Sequence, residues 1–259
     1  MLGTDWTRAF LPAVRAFMNG GNPYAPLDPG GGYHNPPWLL PLLVPFGLLP
    51  PLWGHIGMGI VAITGLVALC VRLKRHWAAL IVAGSIPMLS TIYWANVEGF
   101  CLWGLAIGGP IGFFLLSVKP QVAGLVGLVW AWEAYQKERW MGVAKLVGPT
   151  AAIAVVSTFI YPQWITAMVE SQSQVNSGAV NAWPWLVPLG LLLLYVALKL
   201  KRQSWAGLST TMIAPYLRDH SLIAAMALVA ADYPIIGLAW TAAPWGFYIL
   251  SQLRSGGHP

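Results

Sequence analysis

After Trp38 the chain is a succession of apolar stretches, and its basic residues gather at their ends: Arg72, Lys74 and Arg75; then Lys137 and Arg139; then Lys199, Lys201 and Arg202. No single motif constrains the fold as much as this pattern. Apolar stretches closed by Lys and Arg are how membrane-crossing segments read, with the basic ends kept in the cytoplasm. Only 8% of the residues are charged, against about 25% in soluble domains. So little charge cannot coat a water-facing surface, and most of the surface must face lipid. The expected class is an all-α polytopic membrane protein. One multi-helix transmembrane domain covers 38–259, and an N-terminal interfacial helix and non-cytoplasmic loop cover 1–37.

The net charge of +6 does not point to nucleic acid, because no basic stripe interleaved with aromatic residues accompanies it. Cys70 and Cys101 both lie in apolar stretches, which indicates buried thiols and no disulfide framework. A cleavable signal peptide is not expected, because Met1 to Asn19 lacks a continuous apolar core.

Residues 1–19 read as a surface helix that can lie flat on a bilayer. Leu2, Trp6, Phe10, Ala13 and Phe17 recur at helical spacing, with Asp5, Arg8 and Arg15 on other faces. Residues 20–37 are a loop rich in Gly, Asn and Pro. Residues 38–51 are apolar but short and interrupted by prolines, whereas 52–71 is a fuller span. Further candidate segments are 77–93, 97–117, 121–135, 141–161, 183–199, 204–217, 221–236 and 237–252. Gly108-Gly109-Pro110 and Lys119-Pro120 make 97–117 broken or re-entrant and 121–135 the crossing. Roughly eight to ten transmembrane or re-entrant helices are expected.

Basic ends in the cytoplasm put residues 1–37 on the other side, provided that 38–51 does not cross on its own. The polar, Lys- and Arg-free loop 161–182, the region Tyr93 to Glu98 and the turn Arg218-Asp219-His220 join them there. Lys119 does so only if 97–117 is re-entrant. Polar residues thus converge on one non-cytoplasmic face.

Ionisable groups at membrane depth are costly, so each is a candidate for function. Asp5 reads either as a helix N-terminal acid or as a catalytic acid. Asp28, in Leu27-Asp28-Pro29-Gly30, reads as a turn former. Glu98 fits the first turn of a helix. Lys119 either snorkels to an interface or contacts a phosphate. Arg218-Asp219-His220 is either a solvated turn or a phosphate-binding Arg supported by His220. Asp232 marks a helix boundary. The five histidines are scattered, with no HExxH and no Cys/His pairing, so a protein-built zinc site is not expected. No Walker loop, GxSxG or CxxCH is present. The fifteen tryptophans fall mainly near segment ends, as an aromatic belt does.

The ordered set Asp5-Trp6, Gly21-Asn22-Pro23-Tyr24 and Tyr33-His34-Asn35-Pro36-Pro37 resembles the outer loop of the GT-C superfamily of polytopic glycosyltransferases. The closest branch is the polyprenyl-phosphate-mannose-dependent mannosyltransferases and their bacterial relatives. Gly112 to Pro120 resembles that family's glycine-helix-Lys-Pro segment. Ala214-Pro215-Tyr216 with Asp219-His220 resembles its late Ser-Pro-Tyr…Asp segment. The family has a transmembrane helix ahead of the loop acid; only four residues precede Asp5 here, so that helix is expected to be missing. Where the family carries Gly-Gln, this chain carries Val97-Glu98-Gly99.

The resemblance implies sugar transfer from a polyprenyl-phosphate donor on the non-cytoplasmic side of the inner or plasma membrane. It gives Asp5 the role of general base, and Lys119 or Arg218 that of neutralising the leaving phosphate. His220, Glu98, Tyr24, Tyr33 and Asn35 join them as donor-phosphate or substrate contacts. It requires no cofactor and no metal, since Asp5 and Asp28 form no paired-acid motif. The expected partners are membrane lipid and the lipid-linked donor, with no nucleic acid. The alternative is a non-catalytic membrane subunit of a larger protein complex, built on a shortened scaffold of the same kind. A transporter is a weaker third reading, because no paired halves with matching broken helices occur.

Overall fold

The computed structural model describes residues 5–25, 32–174 and 183–254. Among them every regular element is helical. The chain begins with a π-helical turn, Trp6–Phe10, that runs into α1, Leu11–Met18. Trp6, Phe10, Ala13 and Val14 are buried, while Arg8 and Arg15 stay at the surface. The stripe that the sequence lays on a bilayer is therefore turned into the protein. Trp6 supplies the physical reason. Its indole N–H donates to the Pro51 carbonyl at 3.0 Å, and its ring lies where a Cβ on Gly54 would sit only 2.5 Å away. α1 stops at Gly20, whose φ of +69° suits glycine. There the N–H groups of Gly20 and Gly21 turn back to the carbonyls of Phe17 and Ala16.

A 3-10 turn at Pro37–Leu39 leads into α2 (Leu40–Gly47) and then α3 (Pro51–Arg72). α4 (His76–Ala83) and α5 (Ile86–Trp94) meet at an angle of 69°. Ser85 at the bend accepts the Met88 N–H at 3.3 Å, a side-chain cap that starts α5. α6 (Glu98–Ile107) and α7 (Gly109–Ser117) form a hairpin about Gly108 and Gly109, both at positive φ. Their backbones touch at Gly104 and Gly112, where a Cβ on Gly112 would lie 2.5 Å from the Gly104 carbonyl oxygen. Each arm is about 15 Å long, half of a bilayer's hydrocarbon thickness. The hairpin returns Lys119 to the side of Glu98, as the re-entrant form of 97–117 requires.

α8 (Pro120–Ile160) consists of two helical parts that meet at a kink at Glu138 and Arg139, where the backbone leaves helical geometry. Just beyond, the Gly142 backbone sits against the Ala134 carbonyl. The two parts correspond to the sequence segments 121–135 and 141–161. Then follow α9 (Trp164–Gln174), α10 (Val187–Leu200), α11 (Gln203–Ile213), a 3-10 turn at Asp219–Leu222, α12 (Ile223–Asp232) and α13 (Pro234–Arg254). α12 is buried on every side from Ile223 to Ala231, as a helix that is apolar all round must be. Its alanines let α11 approach until Gly207 lies against Ala225.

Two described helices are long and apolar enough to cross a membrane, α3 and α8, and the bent pair α4 and α5 would make a third. Large apolar side chains remain exposed along them, including Ile60, Val67, Leu80, Val156 and Phe159.

α3 and α6 cross at small residues. A Cβ on Gly99 would lie 2.7 Å from the Ala62 nitrogen and 2.8 Å from its Cα, so no side chain fits without parting the helices. Gly99→Ala is expected to cost about 1–3 kcal/mol of stability by overpacking. It should also displace the adjacent Glu98. Denaturation in detergent micelles checks the first effect; an unchanged transition would mean that α6 has slack against α3.

Candidate functional site

Two clefts lie at opposite ends of the helices. One is lined by Arg72, Lys137, Lys145 and Gln203, the other by Lys119, Pro120, Thr210 and Ile213. α11 runs from Gln203 at the first to Ile213 at the second, and α8 runs between them in the opposite sense. The second cleft is a cavity of about 960 Å³, the size of a site for a small molecule. Its polar lining comes from every part of the chain: Asp5, Arg8, Asn35, Asn96, Lys119, Tyr216, Arg218 and His220. Apolar walls come from Phe10, Leu125, Met168 and Ile213.

Asp5 stands at the start of the π-helical turn. Its side chain makes no capping bond to that turn, so the cap reading does not describe it. Instead Oδ2 accepts from the Asn96 amide nitrogen at 2.7 Å. Asn96 is presented by a turn in which Ala95 takes the left-handed conformation at φ 52° and the Asn96 N–H returns to the Thr91 carbonyl. That conformation is unusual for a residue with a Cβ and belongs with the strained turns found near functional sites.

Behind Asn96 lies a buried charge cluster. Glu98, fully buried in the first turn of α6, pairs through Oε1 with the Lys119 ammonium. The same oxygen accepts from His220 Nδ1 at 2.6 Å. Lys119 Nζ also donates to Asn96 Oδ1 at 3.0 Å. Glu98 Oε2 is buried without a hydrogen-bond partner among the described residues, so Oε1 alone carries the contacts to Lys119 and His220. Lys119 thus neither snorkels nor stands free: its charge is largely compensated by Glu98. Arg218 has no carboxylate within 4 Å among the described residues. With Arg8 it gives the cavity cationic groups not matched by buried acids.

Burial raises the Asp5 carboxyl above its ordinary value of 3.8; the neighbouring His220, Lys119 and Arg218 pull it back, and Glu98 adds to the rise. Burial likewise raises the Tyr216 phenol, which keeps its proton as a donor beside Arg218. A carboxylate of increased basicity therefore faces, across one cavity, cations able to bind an anion.

Of the residues singled out by sequence, Asp5, Asn35, Lys119, Arg218 and His220 line the cavity, and Glu98 lies directly behind it. Tyr24 and Tyr33 do not line it. Their hydroxyls donate to the Asn35 and Pro36 carbonyls at 2.7 and 3.0 Å, and their rings pack 5.3 Å apart. They brace the loop that delivers Asn35. α9 closes over the same loop, through Gln163 to Asn22 at 2.9 Å and the Ala167 carbonyl to His34 at 3.2 Å. Asp28 lies outside the described residues. Asp232 does end a helix, and it accepts from Ser204 at 2.6 Å. Arg8, Asn96 and Tyr216 line the cavity and are not among the site residues expected from the sequence. The only sequence signal for Asn96 was a polar residue between apolar segments, two positions before Glu98.

No group of three or more His, Cys, Asp and Glu side chains suited to holding a metal occurs among the described residues. Compared with protein-family models, with curated proteins and with solved structures, the chain finds no match.

Proposed function

We propose that this protein is a membrane glycosyltransferase that moves a sugar, of mannose type, from a polyprenyl-phosphate donor to an acceptor hydroxyl. The observation that carries the reading is the pairing, across one cavity, of the basic carboxylate of Asp5 with the uncompensated cation of Arg218. Inverting displacement at an anomeric carbon needs these two parts. Asp5 Oδ1, with no partner among the described residues, takes the proton of the acceptor hydroxyl as that oxygen attacks the anomeric carbon. The bond to the phosphate oxygen breaks, and its electron pair leaves with the phosphate. Arg218 is the main counter-charge for that phosphate, aided by Arg8 at the rim. Lys119 contributes less, because Glu98 already balances it. Leu125, Ile213 and Met168 offer an apolar wall to the lipid chain.

In this reading the protein is multi-pass, and the short helices supplement the long spans as hairpins and broken crossings. The cavity faces the non-cytoplasmic side. Arg72, Lys137 and Lys145 at the opposite cleft support that orientation, since basic ends stay in the cytoplasm.

The test is transfer of radiolabelled sugar from polyprenyl-phosphate donors by the purified protein in liposomes, with and without Asp5→Asn. Transfer that survives Asp5→Asn removes Asp5 as the base. No transfer by the unaltered protein from any such donor favours a non-catalytic subunit of a larger membrane complex.

A further inference from the structure

One side chain of the cavity has a hydrogen-bond environment that fixes its orientation and, through it, that of its neighbours. The Asn96 side-chain oxygen accepts from two donors, the Val97 N–H at 2.8 Å and the Lys119 ammonium at 3.0 Å. Its nitrogen donates to Asp5 Oδ2 at 2.7 Å and lies 3.4 Å from His220 Nε2. Turning the amide over would oppose nitrogen to two donors and oxygen to a carboxylate, so only one orientation fits. His220 then follows. Its Nδ1 faces the Glu98 carboxylate at 2.6 Å and donates to it, which leaves Nε2 on the side of the amide. Both of its ring nitrogens are used.

The amide thus lies between the carboxylate of Asp5 and the ammonium of Lys119. It binds each on the side that suits it and keeps them from pairing directly. A direct ion pair would orient Asp5 but would lower its basicity by about one to three pH units. A neutral amide orients the carboxylate at a smaller loss of basicity.

We infer that Asn96 is the positioning residue of this site: its amide fixes the rotamer of Asp5, leaves the second carboxylate oxygen open to the cavity, and separates that carboxylate from the buried Lys119–Glu98 pair. The inference deepens the proposed role of Asp5 as base and rests on that reading. The charged and titratable groups facing Asp5 are Lys119 at the α7–α8 junction, Glu98 on α6, and Arg218 and His220 on the segment before α12. Arg8, one turn along from Asp5, and Tyr216 line the same cavity.

Asn96→Asp tests the inference with little change of shape. The new side chain keeps an oxygen toward Val97 and Lys119, and puts a second oxygen where the amide donated to Asp5. Protonation of Asp5 is read directly, without substrate. Dicyclohexylcarbodiimide modifies protonated carboxyls, and the tryptic peptide 1–8 contains no other acidic side chain. Its modification, followed by mass spectrometry across pH in the detergent-solubilised full chain, gives the Asp5 midpoint. Asn96→Asp is expected to raise that midpoint by at least about 1 pH unit, because two carboxylates then share one site. Asn96→Ala, which only removes the donor, is expected to raise it less. Sugar transfer, where measured, should show its acid limb moving upward in the same order.

An Asp5 midpoint that is unchanged or lowered in both variants overturns the inference. A raised midpoint in a protein that transfers no sugar keeps Asn96 as the residue that sets Asp5 and removes the transferase reading instead. Should Asn96→Asp fail to fold, the midpoint in Asn96→Ala decides alone.

Discussion

Asp5→Asn is expected to lower sugar transfer by about two to four orders of magnitude, the contribution of a positioned general base, while leaving the fold intact. The replacement is nearly isosteric, and the Asn96 amide can still donate to the new side-chain oxygen. What is lost is the proton acceptor. The pH dependence carries a second signature. Desolvation raises the Asp5 carboxyl above 3.8, and His220, Lys119 and Arg218 only partly offset it. The active form of a base is the ionised one. Activity is therefore present above the folded pKa and is lost as pH falls through it, and the acid limb of kcat/KM lies above the range of an exposed aspartate. Initial rates across pH in liposomes check this. An acid limb at the ordinary aspartate value would show that Asp5 is not the group being titrated.

Much of the architecture was legible because proline and glycine act locally. Gly108-Gly109-Pro110 announced a break, and the α6–α7 hairpin turns there, since two successive positive-φ residues cannot continue a helix. The proline-rich start of 38–51 similarly gave a short helix and not a span. The grouping of Asp5, Lys119, Arg218 and His220 followed in part from charge placement, which is a global property of the sequence. The rest depends on contacts between distant residues. Glu98 fits the first turn of a helix equally well in water or in a core; its burial is decided by Lys119 and His220, which lie 21 and 122 positions away. Asn96 carries no charge and no motif, so its role exists only once Asp5 has been brought to it from 91 positions away. Trp6 was read as facing lipid because helical periodicity identifies an apolar stripe without saying what covers it. Gly54 and the Pro51 carbonyl are what cover it.

Lys119→Met is expected to destabilise the protein by about 3–5 kcal/mol, because it strands the Glu98 carboxylate in a site shielded from solvent. Glu98 is fully buried, one of its oxygens has no donor among the described residues, and among them His220 would remain as its only partner. Glu98→Leu is expected to cost a similar amount for the mirror reason, leaving a buried ammonium with only the Asn96 oxygen. The two costs should not add. With both charges gone, neither desolvation penalty remains, and an apolar pair of comparable volume can fill the space. The double variant still takes from His220 Nδ1 its Glu98 acceptor, leaving only the longer 3.5 Å contact to Ser221 Oγ among the described residues, a loss of about 1–3 kcal/mol. It should therefore lie nearer the unaltered protein than either single variant does. Unfolding in mixed micelles by sodium dodecyl sulfate, applied to all four members of the cycle, measures the coupling. Strict additivity would mean that the two groups do not act as a pair, and that Lys119 is a free cation of the cavity after all. A coupling of several kcal/mol assigns Lys119 to holding the hairpin closed behind the site, its charge spent on Glu98 and not on the cavity.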